Sequence, residues 1–178
     1  MKNTLFILTL CCIFHLSLHA QERYELELPE DRSNTWSNPT WKGQSDTMQW
    51  VKTSGKGGFF WRQSRHEITF SNGKTLIRDC PRGKACQIMN QDSLNLIERT
   101  DRHYVLKNGT LLRLKFNIDN TRIRVLNPER RLIAEAKTRH RILQFKHELY
   151  VELFENVPYK RELLVQLSRD ILEQTFGW

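Results

Sequence analysis

Thr110-Leu111-Leu112-Arg113-Leu114-Lys115-Phe116-Asn117-Ile118, then Asp119-Asn120, then Thr121-Arg122-Ile123-Arg124-Val125-Leu126 is the stretch that decides the fold. Leu112, Leu114, Phe116 and Ile118 recur every second residue, with Arg113, Lys115 and Asn117 between them. Successive side chains of a strand point to opposite faces, so the alternation predicts one apolar and one basic face. Asp119-Asn120 reverses the chain. Residues 122–126 then repeat the device, with Ile123 and Val125 inward and Arg122 and Arg124 outward.

Working outward, the same grammar recurs. Residues 102–106, the turn Lys107-Asn108-Gly109 and the strand from Thr110 form one predicted hairpin; residues 67–70, Ser71-Asn72-Gly73-Lys74 and 75–79 form another. Asn127-Pro128 turns the chain into 131–137, and 147–154 alternates Leu149, Val151 and Leu153 against Glu148, Tyr150 and Glu152. Near the start, Tyr24, Leu26 and Leu28 alternate with Glu25 and Glu27. Residues 29–46 read as a long irregular segment whose large apolar groups are Trp36 and Trp41. Met48, Trp50 and residues 59–61 resume the core across the joint Gly55-Lys56-Gly57-Gly58. Short strands at regular spacing predict a mainly β protein, an antiparallel closed barrel or a strongly curved sheet.

Only the C-terminus reads as a helix. Over 159–176, Leu163, Leu164, Leu167 and Ile171 recur at helical spacing, with Pro158 suited to the first turn and Gly177 to the cap. Glu162, Gln166, Arg169, Asp170 and Glu173 line the other face.

The chain has 178 residues, 39% of them hydrophobic, with 28 Lys+Arg, 20 Asp+Glu and a net charge of +8. That apolar content excludes wholesale disorder. Met1-Lys2-Asn3, the mostly apolar residues 5–18 and Ala20 before Gln21 fit an export signal covering 1–20. The apolar stretch is shorter than the roughly 20 residues a membrane-spanning helix needs. Cys11 lacks a small residue before it, which disfavours a lipoprotein. Removing 1–20 takes away one cation and no acid, leaving 158 residues at +7 with two of the four cysteines.

One folded domain is expected over 21–178, in which 21–58 carries the first strand and the Trp-bearing segment and 59–178 the β-rich part with the helix. A periplasmic or extracellular address follows, with no transmembrane helix in the mature chain. Cys80 and Cys86 flank a Pro/Gly turn, and in an oxidising compartment that spacing favours a local disulfide.

The density of strands before one apolar-striped helix resembles the tubby C-terminal-like proteins, which include the phospholipid-scramblase and LURP-one-related groups. The resemblance rests on the pattern over about 59–176. Its nearest stretch is Glu129-Arg130-Arg131-Leu132-Ile133-Ala134-Glu135-Ala136-Lys137, then Leu149-Tyr150-Val151-Glu152-Leu153 and Glu162-Leu163-Leu164-Val165-Gln166-Leu167. It implies a closed antiparallel barrel threaded by a hydrophobic helix, no enzyme activity, and in some relatives binding to phosphoinositides or membranes. The charges on Arg169, Asp170 and Glu173 argue instead for a helix laid over a barrel mouth or a sheet face.

The sharpest candidate site is basic. Residues 121–147 carry +6, and the hairpin would set Arg113 and Lys115 beside Arg122 and Arg124, with Arg139 and Arg141 following. Like charges facing each other across strands are destabilising, so the face needs acidic neighbours or an anionic ligand such as a lipid headgroup or an acidic glycan. Alternatively it is a solvated face paired by Glu148 and Glu152. A second candidate is a glycan-stacking platform on Trp36 and Trp41; a third is a structural envelope protein whose apolar helix face docks a partner. Nucleic acid is a poor partner, since no motif that reads it is present. His66, His103, His140 and His147 show no metal-ligand spacing, no catalytic motif occurs and no cofactor is implied. A hydrolase with a dispersed site is the remaining alternative. The sequence favours a non-enzymatic binder of an anionic envelope or membrane component.

Overall fold

A computed structural model describes residues 22–27, 39–44, 46–56, 63–81, 84–92, 94–119, 121–141, 146–155 and 159–176. The segment 1–20, Trp36, residues 59–61, Pro158 and Gly177 lie outside the described residues. The strands are β1 Glu22–Glu27, β2 Thr40–Gly43, β3 Thr47–Lys56, β4 Gln63–Phe70, β5 Thr75–Cys80 and β6 Gln87–Met89. There follow β7 Asn95–Arg99, β8 His103–Leu106, β9 Leu111–Phe116, β10 Arg122–Leu126, β11 Leu132–Arg141 and β12 Lys146–Leu153. One helix, α1, spans Lys160–Phe176.

Each strand pairs antiparallel with its sequence neighbour, and β1 also pairs with β12, so the twelve strands close into a barrel. Closure removes the open sheet edges that would otherwise recruit other chains. Sequence alternation becomes radial position: β5 alternates half-buried and buried residues along its length, and β9 buries Leu112 and Leu114 while exposing Arg113 and Lys115. The Asn-Gly turns behave as their chemistry requires. Gly73 and Gly109 sit at φ 79° and 81°, and the amides of Lys74 and Thr110 donate to the side-chain oxygens of Asn72 and Asn108 at 3.1 and 3.0 Å.

The helix does not lie over a mouth or a sheet face. Every residue from Glu162 to Leu172 is buried, and eleven consecutive positions cover every side of a helix. It packs against strands around the wall, β5, β6, β7, β10, β11 and β12, so it occupies the barrel lumen. Leu163, Leu164, Leu167, Ile171 and Leu172 meet the inward side chains of the strands. β11 makes room for it: Ala134, Ala136 and Thr138 face inward between the outward Glu135, Lys137 and Arg139. Thr138 and Thr175 share a hydroxyl hydrogen bond of 2.7 Å.

The expectation that charge would keep the helix outside fails because the charges are paired inside. Arg99 Nε and the Tyr104 hydroxyl both donate to Asp170 Oδ2 at 2.7 Å, and Gln166 Nε2 donates to Oδ1 at 2.8 Å. Arg78 Nη2 and Arg169 Nε donate to Glu173 Oε1 at 3.1 and 3.0 Å. Ionised groups survive in a low-dielectric interior only when paired in this way. Burial lowers the Arg78 guanidinium against the pull of Glu173 and Asp170. Burial also pushes the Tyr104 phenol well up, helped by the Asp170 charge. The apolar helix stripe, offered above as a docking face, is consumed by this packing.

Because neighbouring strands alternate in direction, their turns fall into two sets. Residues 71–74, 107–110 and 127–131 lie at one end with the start of α1. Asn117, Thr121 and the Cys80–Cys86 disulfide lie at the other with its finish. The disulfide forms as the spacing predicted, with Cα atoms 4.2 Å apart. Where the helix enters, a cavity of about 700 Å3 opens. Across it Lys160 pairs with Glu22, Arg161 with Asp46 and Lys74 with Glu162, at 2.5, 3.4 and 3.9 Å.

Candidate functional site

The outer face of β9, β10 and β11 carries the basic residues the sequence brought forward. Register sets Arg124 opposite both Lys115 and Glu135, Arg122 opposite Lys137, and Arg139 opposite Glu148. Arg113 stands opposite Leu126, two pairs further from the Asp119 turn than Lys115 and Arg124. Arg113, Lys115 and Arg139 are exposed, and among the described residues none of them has a carboxylate within ion-pair reach. Arg141 pairs through its backbone with Lys146; its side chain lies outside what is described.

One carboxylate holds the centre of this face. Glu135 accepts from Arg124 Nε at 2.8 Å and from Lys137 Nζ at 2.7 Å, with Arg122 Nε at 3.4 Å. Burial alone would raise its pKa; the hydrogen bonds from Arg124 and Lys137, with the Arg122 charge behind them, hold it below the ordinary carboxylate range. Lys137 reaches Glu152 as well, at 2.8 Å. Burial opposes its charge, but the two carboxylates raise its pKa. Arg23 approaches Glu152 at 3.8 Å and lies 4.2 Å from the centre of the Tyr150 ring. Acidic pairing by β12 is therefore real toward β1. On the β9 side Arg113 and Lys115 form no ion pair among the described residues, so that side keeps its positive charge.

Beside the turn, β9 and β10 leave a cleft of about 170 Å3 lined by Lys115, Phe116, Asn117, Arg122 and Arg124. Arg122 and Arg124 spend only part of their donors on Glu135 and are 43% and 48% exposed. Each guanidinium carries five N–H donors, so both can accept an anion without releasing Glu135. The turn itself is fixed. Asn117 Oδ1 accepts from the Arg122 amide at 2.8 Å, its side-chain amide donates to Thr121 Oγ1 at 3.0 Å and to Asp119, and the Thr121 hydroxyl donates to Asp119 at 3.1 Å.

No family model, curated protein or solved structure matches this chain. Residue chemistry is therefore what the functional reading rests on.

Three sequence expectations need correction or completion. Phe116 and Ile118 were expected on the inward face with Leu112 and Leu114; instead Phe116 is 36% and Ile118 105% exposed. Phe116 is the last residue of β9, and Ile118 lies beyond the strand in the turn. Trp41 was offered as a glycan platform, yet its ring is 0% exposed, packed as part of the core with no face for a sugar; Trp36, its proposed companion, is outside the described residues. Trp50 is equally buried and meets His66 edge-on at 5.6 Å. Glu135, the organising residue, was counted only as one of the acids in the stretch. Its place two residues before Lys137, on the strand predicted to follow the Arg122/Arg124 strand, was the available signal. Among the described residues no group of His, Cys, Asp or Glu could hold a metal ion, and no described helix is long and apolar enough to cross a membrane.

Proposed function

We propose that this protein is a non-enzymatic, exported binder of an anionic membrane component, which it engages through the outer face of β9–β11. The carrying observation is the imbalance around Glu135. Three cations converge on one carboxylate, while Arg113, Lys115 and Arg139 stay exposed beside them, with no ion pair to an acid among the described residues. A face that neutralised itself would serve only as a solvated wall; this one retains charge in a fixed geometry. Export rests on the sequence of residues 1–20, and the Cys80–Cys86 disulfide is consistent with it. The membrane reading also draws on the sequence-level resemblance to the tubby C-terminal-like proteins, some of which bind phosphoinositides or membranes.

The test is co-sedimentation with phosphatidylcholine vesicles, with and without phosphatidylglycerol. A basic residue near an anionic surface contributes about 1 kcal/mol. The double variant Lys115→Gln plus Arg139→Gln, which breaks no ion pair among the described residues, should thus weaken binding roughly 30-fold. Binding should also fall as salt is raised. Equal partitioning onto neutral and anionic vesicles at low salt, or no loss in the double variant, would reject the reading.

A further inference from the structure

Among the described residues none shields Ile118, which is 105% exposed in the β9–β10 turn. Phe116, two residues earlier, is 36% exposed. A lone exposed aliphatic residue needs no explanation; three further observations give this one a context. It stands beside the cleft formed by Lys115, Arg122 and Arg124. The turn that presents it is locked by the Asn117–Thr121–Asp119 hydrogen bonds. The nearest acid, Asp119, accepts from both Asn117 and Thr121, so its carboxylate is occupied by the turn. An apolar crest above a ring of cations is the arrangement that suits a phospholipid surface, in which an anionic headgroup layer covers an acyl layer.

We propose that the β9–β10 turn is a membrane wedge. Ile118, followed by the edge of Phe116, enters the acyl boundary, while Lys115, Arg122 and Arg124 close around a lipid phosphate in the cleft. The cleft of about 170 Å3 has room for about five waters at roughly 30 Å3 each, hence for a tetrahedral phosphate with part of its hydration. Because Asn117, Asp119 and Thr121 are already tied to one another, insertion orders little that was free on these residues, which favours binding. The inference rests on the membrane reading above and sharpens it: the contact is a point at one end of the barrel.

The experiment compares the wild-type protein with Ile118→Ser, Leu111→Ser and Lys115→Gln on two probes. One is phosphatidylglycerol-containing vesicles; the other is inositol hexakisphosphate, a soluble polyanion with no acyl layer. Leu111 is the control, 52% exposed at the opposite end of β9. Ile118→Ser should reduce vesicle partitioning about tenfold and leave polyanion binding unchanged, Leu111→Ser should alter neither, and Lys115→Gln should weaken both. If Ile118→Ser leaves vesicle binding intact while Lys115→Gln reduces it, the wedge is wrong and the charged-face reading stands. Equal losses from the two serine variants would overturn the wedge as well. Wild-type protein that ignores the anionic vesicles would overturn both readings.

Discussion

Replacing Asp170 with alanine tests the arrangement on which the fold depends. Asp170 is 1% exposed and satisfies three donors: Arg99, Tyr104 and Gln166. Its removal leaves the Tyr104 hydroxyl, itself fully buried, with no acceptor, a loss of about 1–3 kcal/mol. It also leaves Arg99 without its counter-ion. Breaking a buried ion pair from one side costs about 3–5 kcal/mol, but Arg99 is 29% exposed and recovers some hydration. These terms overlap, so about 3 kcal/mol is expected for Asp170→Ala. At a urea slope of about 2 kcal/mol/M the midpoint should drop by roughly 1.5 M, read by circular dichroism, with the slope unchanged. Lys42→Ala, which breaks a pair with Glu27 at 60% and 48% exposure, should cost less than about 0.5 kcal/mol. The combined variant Arg99→Met, Tyr104→Phe, Gln166→Leu, Asp170→Leu should recover most of the loss, because it removes the carboxylate together with all three donors it satisfies. A loss below about 0.5 kcal/mol in Asp170→Ala would place that carboxylate in water, and the helix could not then fill the lumen.

Glu135 has a folded pKa below its ordinary value of about 4.5, so its pairing stabilises the protein above that value and is lost as pH falls through the folded value. Glu135→Gln should therefore be less stable than the wild type near pH 6, with the difference shrinking toward pH 3 in urea melts; a constant difference would contradict the pairing. Ala136→Leu puts a large side chain where β11 meets the helix and should cost about 1–3 kcal/mol or more, with α1 becoming sensitive to limited proteolysis; a variant as stable and as resistant as wild type would show slack between wall and helix.

How far the sequence could be read depended on which residues carry the pattern. Strands with long alternation, β9, β10 and β12, were legible because each turn of the pleat repeats the same apolar-polar contrast. β2 was not: Thr40–Gly43 sits in a Ser- and Asn-rich stretch where Trp41 alone marks the inward side. β6 and β7 are short, and β7 buries the neighbouring Leu96 and Ile97, so no period of two survives there. Strand density left a closed barrel and a strongly curved sheet both open, and the barrel forms; which strands meet at the seam was not legible, since β1 and β12 lie more than 100 residues apart in the sequence and pairing at that range leaves no local signature. The helix position had a signal in Ala134-Glu135-Ala136-Lys137-Thr138. Small residues alternating with charged ones describe a wall that leaves space for something, whereas the charges on α1 pointed outward only because their partners, Arg78 and Arg99, are remote in sequence. At the candidate site the cations were legible one by one. Their shared carboxylate and the exposed crest at Ile118 appear only when register is known.

The helix inside the wall also fixes an order of assembly. A chain made from its N-terminus can pair β2 through β11 one after another, each with the strand just before it. The seam between β1 and β12 must wait for β12, and the apolar trough along the sheet stays open until α1 arrives to fill it. Until β12 pairs the sheet has two free strand edges, and until α1 packs it has an uncovered hydrophobic floor, the features that make an incomplete chain prone to aggregate. The last described element is thus what turns a collection of local hairpins into one cooperative body.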